Sequence, residues 1–361
     1  MVKERYIGIM SGTSLDGVDV VLCEIDAHSC DLIYSLEYPI PMEVKADILT
    51  IIESKNSVEH VGQIDHRLGV LFTQAVGALL IRENLDAASI NAIGLHGQTL
   101  WHQPDGELPF SMQLGDPNIL AAKTGIPVVA DFRRKDIALG GQGAPFAPAF
   151  HEFIFRNINS RLSVVNIGGM ANITVLPHSD NDKLIGYDTG CGNVLLDQWN
   201  AEHQGTPYDK DGAWARSGKV DYTLLDAMMS DAYFSLDYPK STGREKFNAE
   251  WLQSYLRGKT HAPEDVQRTL VELTALTITN EVLQFNSDIT LLCGGGAKNS
   301  FLVERIKALM TNVEVGIAQH TDEIEAMTFA WLAYKRLHEE AVNLKDVTGA
   351  SENTVLGGVY V

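Results

Sequence analysis

Short apolar runs alternate with segments of helical periodicity along the chain. Residues 6–10 and 18–25 have the character of strands and flank a polar turn, which predicts a hairpin. Apolar positions recur at helical spacing in residues 47–54 and 64–83, and residues 88–95 predict a further buried strand. Strands and helices that alternate in this way predict an α/β fold.

The second half of the chain repeats this order of elements. Residues 163–176 again predict a strand, a glycine turn and a second strand, and residues 263–284 predict a long helix. A later strand in each half runs into a polar loop, at residues 94–98 and at residues 291–299. Sequence identity between the halves is negligible, so only the pattern is repeated. The repetition predicts two duplicated α/β domains that face each other across a cleft lined by loops.

Residues 185–193 combine three glycines with one carboxylate, Asp188. We expect a strand-like approach followed by a bend that carries Asp188. Glycines at such spacing let the backbone approach a ligand closely. An aspartate at such a corner is also a preferred N-cap, here for a helix predicted at residues 194–203. This stretch by itself leaves both roles open.

Further polar residues lie at the ends of predicted elements. The hairpin loop of residues 11–17 directs backbone N–H groups and hydroxyls to one place, which suits an anion such as phosphate. His96 and Gln98 follow a strand, where α/β proteins commonly place a binding loop. Arg133 starts a run of three basic residues beside a glycine-rich segment, and we expect this run to contact an anion or a sugar. Glu325 lies in the first turn of the last predicted helix.

Each of these features also has a purely structural interpretation. A polar hairpin loop is commonly only a turn, and His96 can be a satisfied histidine or a helix cap. The basic run that starts at Arg133 can be a solvated turn, and Glu325 can be an exposed capping carboxylate. No single stretch decides between these interpretations and function.

The composition narrows the class of protein. The chain has 361 residues, with 28 Lys and Arg against 47 Asp and Glu and a formal net charge of −19. A surface this acidic argues against nucleic-acid binding, which requires basic patches. The sequence shows neither an apolar signal segment nor a run of the roughly 20 apolar residues that a membrane span needs. The four cysteines lack zinc-site spacing, so reduced thiols in a cytoplasmic protein are expected.

Six motifs, in order over nearly the whole chain, resemble those of the anhydro-N-acetylmuramic acid kinase family, which belongs to the actin/sugar-kinase superfamily. They are residues 8–19 (GIMSGTSLDGVD), 94–99 (GLHGQT), 166–173 (NIGGMANI), 187–193 (YDTGCGN), 241–245 (STGRE) and 293–299 (CGGGAKN). One departure is that Cys191 stands where proline is common, which costs loop rigidity and leaves the chemistry unchanged. The resemblance is specific because six separated motifs agree.

The resemblance implies two duplicated actin-like, ribonuclease H-like α/β domains with an active-site cleft between them. We expect residues 1–130 together with about 325–361 to form the N-terminal lobe, and residues 131–324 to form the C-terminal lobe. A homodimer is also implied. Closure of the lobes is expected, since the site must exclude water other than the molecule that reacts.

The activity that the resemblance implies is specific. Members of the family use ATP and Mg²⁺ to open the 1,6-anhydro ring of 1,6-anhydro-N-acetylmuramic acid with water and to phosphorylate O6. The products are N-acetylmuramic acid 6-phosphate and ADP, in peptidoglycan recycling. Because Asp188 matches the family's catalytic base, we expect it to take the proton of the water that attacks C1.

The resemblance and the positions of the loops also predict the ligand contacts. The expected nucleotide contacts are Gly12, Thr13, Ser14, Leu15, Asp16, Gly17, Val18, Asp19, Gly168, Gly169, Asn172, Gly294, Gly295, Gly296 and Lys298. Asp16 and Asp19 are the expected Mg²⁺ ligands, directly or through water. The expected sugar contacts, with the two arginines assigned to the lactyl carboxylate, are Arg133, Arg244, His96, Gln98 and Glu325.

Two other functions fit the same superfamily. An ordinary sugar kinase would use Asp188 to deprotonate a hydroxyl that is already free. A non-catalytic, nucleotide-gated module of the actin type would tolerate loss of this carboxylate, yet Asp188 and every glycine loop are present. The sequence has neither the Walker A pattern nor G-x-S-x-G, which disfavours a P-loop kinase and a serine hydrolase.

Overall fold

The computed structural model describes residues 3–12, 15, 17–53, 57–179 and 181–361. The strands are β1 (Glu4–Ser11), β2 (Gly17–Ile25), β3 (Cys30–Pro39), β4 (Ala92–Gln103), β5 (Phe110–Leu114), β6 (Val128–Ala130), β7 (Leu162–Ile167), β8 (Met170–Val175), β9 (Ile185–Cys191), β10 (Ile289–Cys293), β11 (Glu314–Ile317) and β12 (Gly358–Tyr360). The helices are α1 (Met42–Glu53), α2 (Val58–Arg82), α3 (Pro117–Thr124), α4 (Arg133–Ala138), α5 (Ala147–Phe155), α6 (Val194–Gln204), α7 (Ala213–Ser217), α8 (Tyr222–Met229), α9 (Ala249–Leu256), α10 (Pro263–Gln284), α11 (Ser300–Leu309), α12 (Ile324–Leu337) and α13 (Lys345–Thr348).

The chain divides into two compact units, one of Met1–Phe155 with Glu323–Val361 and one of Arg156–Asp322. The sheet of the first unit has the strand order β3-β2-β1-β4-β6-β12, and β5 pairs with β4. Strands β1, β2 and β3 are antiparallel neighbours, whereas β4 lies parallel to β1 and β6 parallel to β4. The parallel step from β3 to β4 requires a crossover, which α1 and α2 supply.

The sheet of the second unit repeats this arrangement, with the strand order β9-β8-β7-β10-β11. Strands β7, β8 and β9 are antiparallel neighbours, β10 lies parallel to β7, and β11 lies parallel to β10. Each unit therefore has three antiparallel strands in reversed sequence order, followed by two strands parallel to the first of them, and the first unit adds β12, which is antiparallel to β6. This topology confirms the prediction of two duplicated ribonuclease H-like, actin-like α/β units.

Helix α12 lies directly on β1 and β4 because two glycines leave room for it. A Cβ added at Gly8 would lie 2.0 Å from the carbonyl oxygen of Ala326, and one at Gly94 would lie 1.9 Å from that of Phe329. The ring of Phe329 in turn packs against His96, with centroids 4.7 Å apart. A helix near the end of the chain thus fixes the strand that carries His96.

Among the described residues, α2 alone is long and apolar enough to cross a membrane by length and composition. Its apolar face, which includes Leu68, Phe72, Val76 and Leu79, is buried in the core of the first unit. Ser57 caps its start by accepting a hydrogen bond from the N–H of His60. This burial is typical of a core helix.

The first boundary between the units lies after Phe155, whereas the sequence suggested a junction near residue 130. Aromatic side chains beyond residue 130 pack on α12. Ring centroids are 6.2 Å apart for Phe146 and Phe329, and 5.7 Å apart for Phe150 and Trp331. The glycine-rich basic stretch therefore belongs to the first unit. The second boundary, before Glu323, lies close to the predicted residue 325.

The predicted loops of the first unit are more regular than expected. His96 and Gln98 lie inside β4, which continues to Gln103 because β5 pairs with its second half. Arg133 is the first residue of α4 and not part of an open loop. Helix α3 begins at Pro117, and Asp116 caps it: its carboxylate accepts from the N–H of Asn118 at 2.8 Å.

The bend predicted around Asp188 is wrong. This residue lies inside β9, and the N-cap position of α6 is occupied by Asn193. Asn172 of β8 lies opposite Asp188, and the pairing continues to Cys191 with one irregularity directly after Asp188, at Thr189. Asp188 therefore does not cap α6, and the structural alternative left open by the sequence is excluded.

Candidate active site

Asp188 presents its carboxylate from the middle of β9. Its Oδ2 accepts hydrogen bonds from Ser241 Oγ and from the backbone N–H of Thr242, each at 3.0 Å. Within the described residues no donor bonds Oδ1. Partial burial raises the pKa of this carboxyl, the bonds from Thr242 and Ser241 lower it, and the neighbouring charge of Glu245 raises it. A carboxylate whose pKa is raised is a better proton acceptor near neutral pH.

The backbone of Asp188 is held on both sides. Its N–H donates to the carbonyl of Lys240 at 3.1 Å, and its carbonyl accepts from the hydroxyl of Tyr233 at 2.7 Å. Lys240 directly precedes Ser241 and Thr242, so one short segment bonds both the backbone and the carboxylate. This arrangement fixes the direction in which Asp188 points.

The turn between β7 and β8 holds the start of α6. The carbonyls of Gly168 and Gly169 accept hydrogen bonds from the N–H groups of Asn193 at 2.8 Å and Gly192 at 2.9 Å. Gly192 is required here, because a Cβ would lie 2.4 Å from the carbonyl oxygen of Gly168. Arg244 lies beside the same turn, with Nη2 3.8 Å from the place of a Cβ on Gly169. The structure thus brings these predicted residues together.

The second unit contains a cavity of about 480 Å³. Its lining residues are Asn193, Asp197, Tyr208, Asp209, Lys210, Asp211, Gly295, Lys298 and Asn299. This volume lies within the roughly 300–1,000 Å³ of small-molecule sites. Lys298 also pairs with Asp322 at 2.6 Å. Burial raises the pKa of the Asp197 carboxyl to about 6, against the lowering effect of Arg244.

Gly294 and Gly296 allow the loop after β10 to pack closely against the end of β7. A Cβ on Gly294, whose φ is 76°, would lie 2.2 Å from Asn166 Oδ1. A Cβ on Gly296 would lie 2.3 Å from Ile167 Cγ2. Only glycine fits this approach, and it places Gly295 at the cavity.

The first hairpin loop is anchored by Leu15 and Gln98; three of its predicted residues, Thr13, Ser14 and Asp16, lie outside the described residues. The N–H of Leu15 donates to the carbonyl of Gly12 at 3.2 Å, and its side chain is 2% exposed in the core. Gln98 accepts from Ser11 Oγ at 2.6 Å and donates to the carbonyl of Gly12 at 3.4 Å. The amide of Gln98 thus supports the loop, and its contact with the sugar stays a prediction.

Two carboxylates oppose each other on β2 and β3 beside this loop. Asp19 is the register partner of Glu37, and a Cβ on Gly17 would lie 2.8 Å from Glu37 Oε1. Val18, which lies between Gly17 and Asp19 in the sequence, buries its side chain in the core. Within the described ranges no three His, Cys, Asp or Glu side chains enclose a metal. Mg²⁺ usually takes one or two carboxylates and completes its shell with phosphate and water, so Asp19 with Glu37 is a donor set that fits it.

His96, Arg133 and Glu325 form a polar cluster in the first unit. Arg133 donates through Nη2 to His96 Nε2 at 2.9 Å and through Nη1 to the carbonyl of Gly143 at 2.7 Å. Burial lowers the pKa of Arg133 to about 10, against the raising effects of Glu325 and Asp136. Desolvation raises the pKa of the Glu325 carboxyl, and Arg133 lowers it.

Two nitrogens of this cluster point to a ligand. In the described part of the chain, His96 Nδ1 and Arg133 Nε are buried side-chain atoms without a hydrogen-bond partner. Buried polar atoms are nearly always satisfied in folded proteins. A polar ligand with acceptor atoms would satisfy both.

Sequence reasoning missed most of the groups that hold Asp188. Ser241 and Thr242 lie in the motif of residues 241–245, but within this motif only Arg244 was predicted to bind a ligand. Tyr233 and Lys240 carry no sequence signal, because the fold brings them to Asp188 from a loop-rich region. Glu37 was missed for the same reason, since only the pairing of β2 with β3 places it opposite Asp19.

Known proteins resemble this chain over its full length. A family model described as "Anhydro-N-acetylmuramic acid kinase" matches residues 4–361. Proteins of that name are 65% identical in Sulfurovum sp. (strain NBC37-1), over 100% of both chains, and 50% identical in Aliivibrio fischeri (strain ATCC 700601 / ES114), over 99% of both chains. A third, from Sulfurimonas denitrificans, is 45% identical over 99% of this chain and 100% of that relative.

Proposed function

Because this chain belongs to the anhydro-N-acetylmuramic acid kinase family, we propose that it couples hydrolytic opening of the 1,6-anhydro ring of 1,6-anhydro-N-acetylmuramic acid to phosphorylation of O6 by ATP. The products are N-acetylmuramic acid 6-phosphate and ADP. The observation that carries the proposal is the carboxylate of Asp188, which is anchored through Oδ2 and has a raised pKa. In this arrangement Oδ1 is the oxygen that accepts a proton.

The chemistry requires a base because O6 of the substrate is tied to C1 and cannot be phosphorylated directly. A water oxygen bonds to C1 while the bond from C1 to O6 breaks, and the electron pair of that bond goes to O6. Asp188 takes the proton of the water. O6 bonds to the γ-phosphorus as the bond to the ADP oxygen breaks, and the proton is later released to solvent.

The second requirement is to neutralise the negative charge on the phosphates. Hydrogen-bond donors and cations held in position meet this requirement. We assign the phosphates to the loop that begins at Gly12, and the adenosine to the cavity lined by Gly295 and Lys298. Asp19 and Glu37 would hold Mg²⁺, which neutralises phosphate charge when it is bound. A location in the cytoplasm, expected from the cysteines, and a homodimer, implied by the family resemblance, remain predictions.

The sugar's lactyl carboxylate is assigned to Arg133. Its guanidinium is fixed by His96 and Gly143 and still has a buried Nε that lacks a partner among the described residues. Guanidinium groups bind carboxylates through paired hydrogen bonds. Arg244 is the second candidate for this role.

Isotopic labelling tests the coupled reaction. The protein is incubated with ATP, Mg²⁺ and 1,6-anhydro-N-acetylmuramic acid in H₂¹⁸O, and the label is located by mass spectrometry. Heavy oxygen at C1 and phosphate on O6 are expected. Absence of label from C1, or turnover of free N-acetylmuramic acid at a comparable rate, would instead identify a kinase that acts on a free hydroxyl.

A further inference from the structure

We propose that the buried ion pair between Lys240 and Glu281 positions Asp188 for proton transfer. The inference rests on the proposed role of Asp188 and adds two positioning residues that do not themselves touch substrate. Lys240 Nζ lies 2.6 Å from Glu281 Oε1, and the two side chains are only 3% and 8% exposed. Both residues lie in the second unit, Glu281 on α10 and Lys240 in the segment that follows α8.

The ammonium group of Lys240 is held from several directions. It donates to the carbonyl of Leu236 at 3.2 Å as well as to Glu281. It also lies over the rings of Tyr233 and Tyr187, 5.3 Å and 5.9 Å from their centroids. A cation enclosed in this way has little freedom, and the backbone of residue 240 is fixed with it.

One line of contacts runs from Lys240 to the carboxylate of Asp188. The carbonyl of Lys240 accepts from the N–H of Asp188, and the next two residues, Ser241 and Thr242, donate to Oδ2. Displacement of residue 240 would therefore shift three bonds to Asp188 at once.

A second line of contacts approaches Asp188 from its other side. The hydroxyl of Tyr187, the residue before Asp188, donates to Glu281 Oε2 at 2.7 Å. Tyr233, whose ring lies under the ammonium, donates to the carbonyl of Asp188. Glu281 thus accepts hydrogen bonds from Lys240 on one carboxylate oxygen and from Tyr187 on the other. It therefore links the segment of Lys240 to the residue that precedes Asp188.

The energetic role of such a pair differs from its geometric role. Removing two charges from water costs about as much as their attraction returns, so a buried pair contributes little net stability, whereas removal of one partner is strongly destabilising. Its hydrogen bonds are directional, however, and they define where the segment of residues 240–242 lies. A misplacement of roughly 1 Å at a catalytic group can cost about a hundredfold in rate.

Glu281→Gln tests the proposal, with Glu272→Gln as the matched control. Glu272 lies on the same helix, is also 8% exposed, and binds Arg268 and Arg305 at 2.8 Å and 2.9 Å. Neither arginine is bonded to Asp188. We expect kcat of Glu281→Gln to fall roughly tenfold to a hundredfold, with the KM for ATP nearly unchanged, while kcat of Glu272→Gln stays within about twofold of wild type.

The pH profile provides a readout that a purely structural role would not move. The bonds from Ser241 and Thr242 lower the pKa of Asp188, so loosening them raises it. Glu281→Gln also leaves the Lys240 ammonium unpaired, and an unpaired cation lowers the pKa of a nearby carboxyl. The profile is therefore compared between Lys240→Met/Glu281→Met, which changes no net charge, and Glu272→Gln: the acidic limb of the kcat profile should move to higher pH in the first and stay in place in the second. Equal kcat values in Glu281→Gln and Glu272→Gln, together with unshifted profiles, would overturn the proposal.

The double variant Lys240→Met/Glu281→Met separates position from stability, because it leaves no unpaired buried charge. We expect it to unfold at a denaturant concentration close to that of the wild type while kcat stays low. Recovery of both properties would show that the pair is purely structural. A kcat of Asp188→Asn that falls by much less than about a hundredfold would refute the base itself, whereas a larger fall in Asp188→Asn with a fully active Glu281→Gln would refute the positioning role alone.

Discussion

The guanidinium of Arg133 donates a hydrogen bond through Nη2 to Nε2 of His96 at 2.9 Å. Arginine has donors only, so Nε2 accepts and the imidazole is neutral, with its proton on Nδ1. Burial, and then the charge of Arg133, hold the pKa of His96 well below its usual range. The cluster therefore offers an anion one permanent cation and one neutral donor.

Replacement of Arg133 by lysine should weaken sugar binding more than it slows the chemical step. Lysine keeps the charge, but its donors diverge from one nitrogen and cannot reproduce the planar fork that binds His96, Gly143 and, in parallel, a carboxylate. We expect the KM for the anhydro sugar to rise at least about tenfold, the value of one lost charge-assisted hydrogen bond. Steady-state kinetics measure the change. Arg67→Lys, at an exposed arginine paired with Asp47, is the control.

Replacement of Asp188 by asparagine should abolish proton transfer and preserve nucleotide binding. The amide keeps the size of the side chain but is not basic, so kcat should fall by about 10²–10⁴-fold, the usual contribution of a general base. Calorimetric titration with a non-hydrolysable ATP analogue should give an unchanged Kd. Asp226→Asn, at an exposed carboxylate on α8, should leave both quantities unchanged. Substantial activity in Asp188→Asn would show that another group is the base.

Replacement of Asp197 by asparagine should stabilise the protein at alkaline pH. The pKa of this carboxyl is raised to about 6 in the folded chain, so its ionisation opposes folding as the pH rises from about 4 to above 6. Asparagine removes that cost. Denaturation without nucleotide should show a gain of about 1 kcal/mol at pH 8, after allowance for solvent at the cavity, and almost none at pH 4. An equal gain at both pH values would contradict this origin.

Replacement of Gly94 by alanine should destabilise the first unit through overpacking. The added Cβ would meet the carbonyl oxygen of Phe329 at 1.9 Å, so α12 would have to move away from the sheet. A loss of about 1–3 kcal/mol or more in the free energy of unfolding is expected. Gly62→Ala is the matched control, because this glycine of α2 has nothing within 4 Å of its Cβ position. It should stabilise by roughly 0.5–1 kcal/mol.

Local signals predicted the elements whose ends are set by nearby residues. The helix predicted at residues 263–284 has these bounds in α10, whose first residue is Pro263. Residues that pair over long distances were less predictable. His96 was expected in a loop after a strand, yet pairing with β5 extends β4 beyond it. Asp188 was expected at a bend among glycines, yet pairing with β8 keeps it in a strand.

The sequence by itself determined the α/β class, the duplication of the two units, and a short group of chemically competent residues with Asp188 at its head. Alternation, capping and motifs are local properties, so they can be read along the chain. Only the tertiary structure decided what surrounds Asp188. Ser241 and Thr242 bond its carboxylate, and the pair of Lys240 with Glu281 lies behind them. The two residues of each of these bonds are 41 to 54 positions apart along the chain, and burial supplies the energy that brings them together.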